Sequence, residues 1–299
     1  MALRLKDGAA ALRPRAEAAA SALPPLLIEA SRVAAAVTQG THGRRRIGQG
    51  ETFWQFRPYE PGEPASRIDW RESAKSDRLY VRETEWEAAQ SVFLWRDSSA
   101  SMDYASTPNL PNKRARADLL TLALAALLVR GGERVTLLGS GLAPGHGRFT
   151  LDRLALLLER GGGTAGDNAG GDLPVFEPLP RHGHMVLMGD FLAPLESIHE
   201  RVLRFADAGL KGHVLQILDP AEESLPFAGR VRFEGMERET SLLISRVETI
   251  RAAYIEKLAR HRDGLAALTR LAGWSFSVHR TDQSPQYALL GLYRALAED

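Results

Sequence analysis

The sequence contains no cysteine, which excludes disulfide bonds, cysteine-ligated zinc sites and thiol catalysis. It also lacks a run of about 20 apolar residues, the length that a membrane-spanning helix needs. The longest apolar candidate, residues 119–129, is typical of a core helix. Charge of one sign is not in excess, because 38 basic residues accompany 37 acidic ones. Since a dedicated nucleic-acid-binding protein carries a basic excess, the composition argues against that class.

The 299 residues suffice for one large α/β domain with appendages or for two modest domains. The first 23 residues are low in complexity and lack the continuous apolar core of a secretory signal. Together with the absence of cysteine, this favours a cytoplasmic location.

Three regions differ in composition. Residues 1–46 read as an N-terminal arm followed by a helix that begins after Pro24-Pro25 and covers 26–37. Residues 47–90 contain short β-like pieces rich in aromatics and arginine and interrupted by prolines, which predicts a small β-rich insert. Residues 91–299 form the third region, an α/β domain.

In this third region apolar strands alternate with helices, a pattern typical of a mainly parallel sheet with helices on both faces. The predicted strands cover residues 91–95, 134–138, 184–188, 213–218 and 274–278. The predicted helices cover 113–130, 151–160, 195–208, 247–271 and 285–296. Thr150 is predicted to cap the second helix, and a two-stranded excursion is predicted over 230–244. The fold class is therefore α/β and Rossmann-like.

Acidic residues follow two of the predicted strands, Asp97 after the first and Asp190 after the third. The carboxyl ends of parallel strands share one edge of a sheet, where ligands commonly bind. Ser99 and Ser101 add two hydroxyls in an Asp-x-Ser-x-Ser loop, and hard cations such as magnesium prefer oxygen ligands. One direct carboxylate with neutral hydroxyls leaves such an ion under-neutralised, so a partner's carboxylate can complete its shell. The pattern thus predicts one Mg²⁺ site (or Mn²⁺ or Ca²⁺) of the metal-ion-dependent adhesion type.

Two alternatives stay open for this loop. Asp97, Ser99 and Ser101 can instead cap the following helix, a common role for these residues. Arg96 precedes Asp97 directly and can pair with it, in the place of a metal.

A longer set of motifs resembles the family known as domain of unknown function 58, from about residue 40 to the C-terminus. The first motifs are Gly48-Gln49-Gly50-Glu51, Phe56-Arg57-Pro58-Tyr59, Gly62-Glu63, Arg67-Ile68-Asp69-Trp70 and Ser73-Ala74-Lys75. The later ones, in the same order as in the family, are Asp97-Ser98-Ser99-Ala100-Ser101-Met102, Asp190-Phe191-Leu192, Asp219-Pro220-Ala221-Glu222 and Thr281-Asp282.

The resemblance implies a von Willebrand factor A-like fold with a β-rich insertion and an association with MoxR-type AAA+ ATPases. Asp97, Ser99 and Ser101 match the adhesion motif, and Asp190 matches the acidic residue at the end of a later strand. Von Willebrand factor A domains add a threonine ligand. Thr164 is the residue that we assign to this role, and Thr150 competes with it.

The arginines and aromatics of the insert are a second candidate surface, because such residues supply most binding hot spots. They are Arg57, Tyr59, Arg67, Asp69 and Trp70. For Asp69 and Trp70 we favour a structural role, in which an internal ion pair and aromatic packing fix the insert onto the sheet.

These features lead to a divalent-cation-dependent protein-protein interaction module that is not an enzyme, an adaptor or partner of a MoxR-type AAA+ ATPase. One alternative is a magnesium-dependent phosphotransferase or phosphatase with Asp97 as nucleophile. The loop lacks the second acid expected two residues after the nucleophile, and no lysine stands out as a charge clamp. Another alternative is a scaffold whose metal site is degenerate. Monomer and assembly are equally compatible with the sequence.

Overall fold

The structure is a computed structural model that describes residues 30, 32–35, 37, 53–59, 68–75, 78–84, 89–161, 172–236 and 241–297. The strands of these residues are β1 (Phe53–Pro58), β2 (Tyr80–Thr84), β3 (Ser91–Arg96), β4 (Arg134–Leu137), β5 (His184–Gly189), β6 (Lys211–Leu218), β7 (Val231–Phe233), β8 (Leu242–Ile244) and β9 (Ser275–Arg280). The α-helices are α1 (Trp70–Ser73), α2 (Lys113–Arg130), α3 (Arg148–Glu159), α4 (Leu195–Asp207), α5 (Pro220–Ser224), α6 (Arg251–Leu271) and α7 (Pro285–Ala297). Single 3₁₀ turns cover Ala100–Asp103 and Val247–Thr249.

The central sheet has five parallel strands in the order β4-β3-β5-β6-β9. Its inner strands are almost fully buried, as expected for parallel strands that helices cover on both sides. All five predicted strands are present, with ends that differ by one or two residues. The α/β, Rossmann-like fold class is confirmed.

Alternate side chains of the inner strands enter two separate cores. One core joins Val92, Leu94, Val186 and Met188 to leucines of α2, α3 and α7. Ala30, Val33, Ala34 and Val37 add their buried side chains to this core. The other core joins Phe93, Trp95, Met185 and Leu187 to α4 and α6. Since helices cover both faces, polar groups at the carboxyl edge of the sheet remain the natural place for a site.

Two small antiparallel sheets lie outside the central one. Strands β1 and β2 pair within the predicted β-rich region, and β7 and β8 form the predicted two-stranded excursion. The boundaries proposed for the regions 1–46, 47–90 and 91–299 stay predictions. Among the described helices, none combines the length and apolar character that crossing a bilayer requires.

The predicted role of Asp69 and Trp70 is wrong. Asp69 caps the short helix α1 by accepting the backbone N–H groups of Arg71 at 3.1 Å and Glu72 at 3.0 Å. Trp70 is 63% exposed. The cap turns the first residue of α1 outward, so Trp70 does not pack as an internal aromatic.

The predicted cap of the second helix is also wrong. Helix α3 begins at Arg148, with Gly147 as the N-terminal cap residue. Gly147 has a φ of 78°, a conformation that favours glycine, and this lets the chain enter the helix three residues early. Thr150 therefore lies inside the first turn, where its hydroxyl donates to the carbonyl of His146 at 3.0 Å.

Candidate functional site

The carboxyl ends of β3 and β5 bring Asp97 and Asp190 to one edge of the sheet. Arg96 is in register with Met188, and the backbone N–H of Asp97 donates to the Met188 carbonyl at 2.8 Å. Gly189 makes this approach possible, because a Cβ at that position would lie 2.8 Å from the Cβ of Asp97. Both acids are buried.

The loop after β3 gathers the predicted ligands. Oδ1 of Asp97 accepts the N–H of Ser99 at 2.8 Å. The hydroxyls of Ser99 and Ser101 lie 3.0 Å apart, and Ser101 donates to Oδ2 of Asp190 at 2.7 Å. The structure therefore places Asp97, Ser99, Ser101 and Asp190 in one continuous cluster. The Thr150 hydroxyl is used within α3, and Thr164 lies outside the described residues.

The second carboxylate oxygen of Asp97 is the unusual atom of this cluster. Oδ2 is buried and has no hydrogen-bond partner among the described residues. Burial, followed by the charge of Asp190, raises the pKa of Asp97 to about 6. A buried charged oxygen without a donor is costly, so a donor or a cation at this position would stabilise the ionised form.

Lys113 belongs to the same cluster, and the sequence analysis missed it. It is the first residue of α2 and is 0% exposed. Its Nζ donates to Oδ2 of Asp190 at 2.9 Å and to Oε1 of Glu222 at 2.6 Å. Burial alone would lower the pKa of Lys113, but the two carboxylates outweigh it and raise that pKa. Lys113 therefore places a charged ammonium inside the site at neutral pH.

Glu222 connects this lysine to the loop after β6. Asp219 and Glu222 form a reciprocal cap of α5, in which Glu222 Oε2 accepts the Asp219 N–H at 2.8 Å. Asp219 Oδ2 accepts the N–H of Ser106 at 2.9 Å. Burial raises the pKa of Glu222 although Lys113 opposes that change. The loops that follow β3, β5 and β6 are thereby joined into one polar network.

Arg96 does not pair with the carboxylate of Asp97. The sequence had left such a pair open as an alternative to a metal. Its Nε forms an ion pair with Asp118 of α2 at 2.7 Å, and its Nη1 donates to the backbone carbonyl of Asp97 at 3.3 Å. Arg114 donates to the carbonyls of Ser98 and Ser99. These two arginines hold the backbone of the loop and leave the carboxylate to the site.

A cleft of about 810 Å³ opens beside the cluster. Ser101, Asp190 and Glu222 line its polar end. Its other walls are mostly apolar, with Arg232 and Glu234 as charged members, and include the segment after α5, the hairpin β7–β8 and the start of α6. The cleft therefore joins a charged end to an apolar wall.

The family described as protein of unknown function DUF58 matches the chain over residues 55–264. The chain belongs to this family. Among the curated relatives of this DUF58 protein are uncharacterized proteins of Mycobacterium tuberculosis strain H37Rv, named Rv1480, and of Mycobacterium bovis, named Mb1516. Each is 27% identical over 274 residues, which cover 88% of this chain and 85% of the relative.

Two solved structures resemble the chain at low sequence identity and low TM-score. The conserved hypothetical protein BatB from Bacteroides thetaiotaomicron shares 13% identity with a TM-score of 0.40, over 71% of this chain and 100% of that one. An aerotolerance-related membrane protein from Bacteroides fragilis shares 13% identity with a TM-score of 0.42, over the same shares. The fold assignment rests on the strands and helices of the DUF58 chain itself.

Within the part of the DUF58 chain that the structure describes, no three His, Cys, Asp or Glu side chains are grouped as a metal site. The predicted ligand set has a different composition, two carboxylates and two hydroxyls. Its oxygen chemistry suits a hard cation that retains water ligands. With Glu222 included, the cluster holds three carboxylates and one ammonium, which contacts Asp190 and Glu222.

Proposed function

We propose that this DUF58 protein is a divalent-cation-dependent protein-binding module with a von Willebrand factor A-like site. Asp97, Ser99, Ser101 and Asp190 would hold the ion, Mg²⁺ or alternatively Mn²⁺ or Ca²⁺, and Thr164 is the proposed further ligand. The observation that carries the proposal is the buried Oδ2 of Asp97, which has no hydrogen-bond partner among the described residues. When bound, the ion would act as a Lewis acid toward a carboxylate of the partner.

The positive charge of Lys113 supports an adhesion-type cation site. Because Asp190 Oδ2 already accepts from Lys113 and Ser101, much of the Asp190 charge is used within the protein. An ion beside Asp97 would meet one carboxylate that has not been neutralised. Such an ion keeps positive charge for an outside acid, as an adhesion-type site requires.

The proposed partner is a MoxR-type AAA+ ATPase or its client, which the family resemblance suggests. Affinity capture from the native cell in magnesium and in EDTA tests this. Asp97→Asn removes the ligand charge at nearly constant volume, and Asp207→Asn at the exposed end of α4 is the matched control. We expect the ATPase to be retained only in magnesium and only by the wild type and the control. Equal retention in EDTA would show that the site is not the interface.

A magnesium-dependent phosphotransferase with Asp97 as nucleophile is the second candidate, and Lys113 is the observation that favours it. Such a reaction needs a cation that binds the phosphate. The Lys113 ammonium beside Asp190 is a candidate for it that the sequence did not reveal. Lys113 is fully buried, however, and both of its contacts go to carboxylates of the protein. It has no surface with which to reach a phosphate, so we rank binding first. Magnesium-dependent hydrolysis of an aryl phosphate that Asp97→Asn abolishes would reverse this order.

The third candidate is a scaffold with a degenerate site. It differs from the first in one measurable property, the response of the purified protein to metal. We expect magnesium or manganese to raise the melting temperature of the wild type but not that of Asp97→Asn, by binding only the folded state. Equal responses of the two proteins would favour the scaffold.

A further inference from the structure

The hairpin β7–β8 presents one apolar face to the cleft. Val231 is paired with Ile244, and Phe233 with Leu242. Directly opposed residues of antiparallel strands point to the same side of a sheet. All four side chains belong to residues that line the cleft. Leu243 alternates to the other face of β8 and is not among the cleft residues, although its pairing partner Arg232 is.

This apolar face packs against a further aromatic ring of the cleft, that of Phe227, and is open to solvent. The rings of Phe227 and Phe233 pack edge to face, with centroids 5.8 Å apart. Leu242 is nevertheless 60% exposed. An apolar side chain placed against it would gain free energy by removing both surfaces from water. The wall is therefore a formed binding surface and not a completed core.

The polar end of the same cleft sets the charge of the occupant. Asp190 and Glu222 line that end, and Asp97 lies behind it without a neutralising partner. Before a cation binds, the end repels acids; with the proposed cation, it attracts one carboxylate. The four apolar side chains of the hairpin favour an uncharged bulky group, while Arg232 and Glu234, of opposite charge, line the cleft beside them. A volume of about 810 Å³ is enough for a short stretch of side chains but not for a folded element.

We propose that the cleft binds an extended segment of the partner protein in which an acidic residue adjoins a bulky apolar residue. The acid completes the shell of the cation, and the leucine, isoleucine, phenylalanine or methionine beside it packs on the hairpin face. This inference rests on the proposed function, because the acid needs the cation. It adds the hairpin as the element that selects among acidic partners.

The test is a selection of random heptapeptides displayed on phage against the full chain in millimolar magnesium chloride. The most enriched peptide is then synthesised, and its dissociation constant is measured by fluorescence anisotropy. Leu242→Ser removes the exposed centre of the wall. Leu243→Ser, 45% exposed on the opposite face of the same strand, and Leu271→Ser, 77% exposed at the end of α6, are its matched controls. Asp97→Asn removes the cation end.

We expect enriched peptides to place Asp or Glu next to a bulky apolar residue. Leu242→Ser should weaken the peptide by about tenfold, as burial of a leucine predicts, and the two controls should stay within about twofold. Asp97→Asn or EDTA should abolish binding. Acidic peptides without an apolar neighbour, bound equally by Leu242→Ser, would overturn this inference and leave the cation function standing. Apolar peptides bound equally in EDTA would overturn both, and a selection without enrichment would overturn the inference.

Discussion

The ammonium of Lys113 donates to the carboxylate of Asp190 at 2.9 Å, although 77 residues separate them in sequence. The lysine opens α2 and the aspartate follows β5. Their contact fixes the start of a helix against the carboxyl edge of the sheet. The same nitrogen also donates to Glu222, so one buried positive charge forms ion pairs with two carboxylates.

Lys113→Met should destabilise the protein by about 3–5 kcal/mol in EDTA, because it leaves the buried carboxylate of Asp190 and the partly buried one of Glu222 without their cation. Magnesium should restore part of this loss, since a divalent ion can neutralise Asp190. The metal-induced rise in melting temperature should therefore be larger for Lys113→Met than for the wild type.

Thermal and urea unfolding with and without magnesium check this prediction. Lys257→Met, at an exposed position of α6, is the control for the substitution itself. A Lys113→Met protein that is destabilised to the same extent with and without magnesium would contradict a cation at Asp190.

Asp97→Asn should stabilise the metal-free protein at neutral pH. A pKa raised from its usual 3.8 to about 6 corresponds to about 3 kcal/mol by which the ionised form opposes folding. Because the folded state binds this proton more tightly, wild-type stability falls as pH rises from about 4 through 6. The advantage of Asp97→Asn should be complete above pH 6 and should shrink as pH falls toward 4.

Urea unfolding across that pH range in EDTA measures the difference directly. Asp207→Asn should show no such advantage. If Asp97→Asn were less stable than the wild type at neutral pH, the buried carboxylate of Asp97 would not destabilise the metal-free protein as we expect.

His213 should make the fold sensitive to acid. It is a buried residue of β6, and the hydroxyls of Ser275 and Ser277 on the neighbouring strand β9 each lie 2.7 Å from one of its ring nitrogens. Burial lowers its pKa to about 4, so below pH 6.5 the unfolded state binds the proton that the folded state refuses. Stability from this residue is lost as pH falls from 6.5 toward 4, on the order of 3 kcal/mol.

The measurement is the difference between wild type and His213→Gln, because other groups titrate in the same window. Asp97 and Asp118, whose pKa values burial raises to about 6, act in the opposite direction. His279 acts in the same direction, since burial and then Arg116 lower its pKa to about 4. The variant should lose less stability than the wild type between pH 6.5 and 4. Parallel profiles would contradict the role of His213.

Trp70→Ala should change the free energy of unfolding by less than about 0.5 kcal/mol, because the side chain is largely in solvent. Trp274→Ala is the matched control. Trp274 is buried, and its indole N–H donates to the Leu210 carbonyl at 2.9 Å, so its loss should cost about 3–5 kcal/mol. Trp70→Ala should also retain the ATPase in magnesium. Loss of the ATPase without loss of stability would move the interface to the β-rich region.

The sequence predicted the sheet and the meeting of Asp97 with Asp190 because both follow from one-dimensional patterns. Apolar runs marked the strands, and the rule that parallel strands end at one edge brought the acids together. The exposure of Trp70 could not be predicted in this way, since a local cap at Asp69 set its direction. The role of Gly147 as the cap of α3 could not be predicted for a similar reason, because its positive φ is a property of the folded backbone.

Lys113 was missed although a signal was present. A lysine at the first position of a helix is unfavourable beside the positive end of the helix dipole. Such a residue needs a carboxylate partner, and Asp190 and Glu222 were both available at ends of predicted strands or in family motifs. Which acids it would meet depended on long-range packing, which periodicity does not encode.

The cap of α5 restricts how this chain can diverge. Glu222 closes the first turn of α5 and at the same time pairs with Lys113, so loss of Lys113 alone leaves both Glu222 and Asp190 without their cation. A simultaneous exchange for two apolar residues of similar volume would cost less than the loss of Lys113 alone, because only the Asp190 carboxylate would then lack the ammonium. Positions 113 and 222 are therefore expected to change as a pair among relatives. Sequences that have made the double exchange would carry a site in which Asp190 depends on the divalent ion alone.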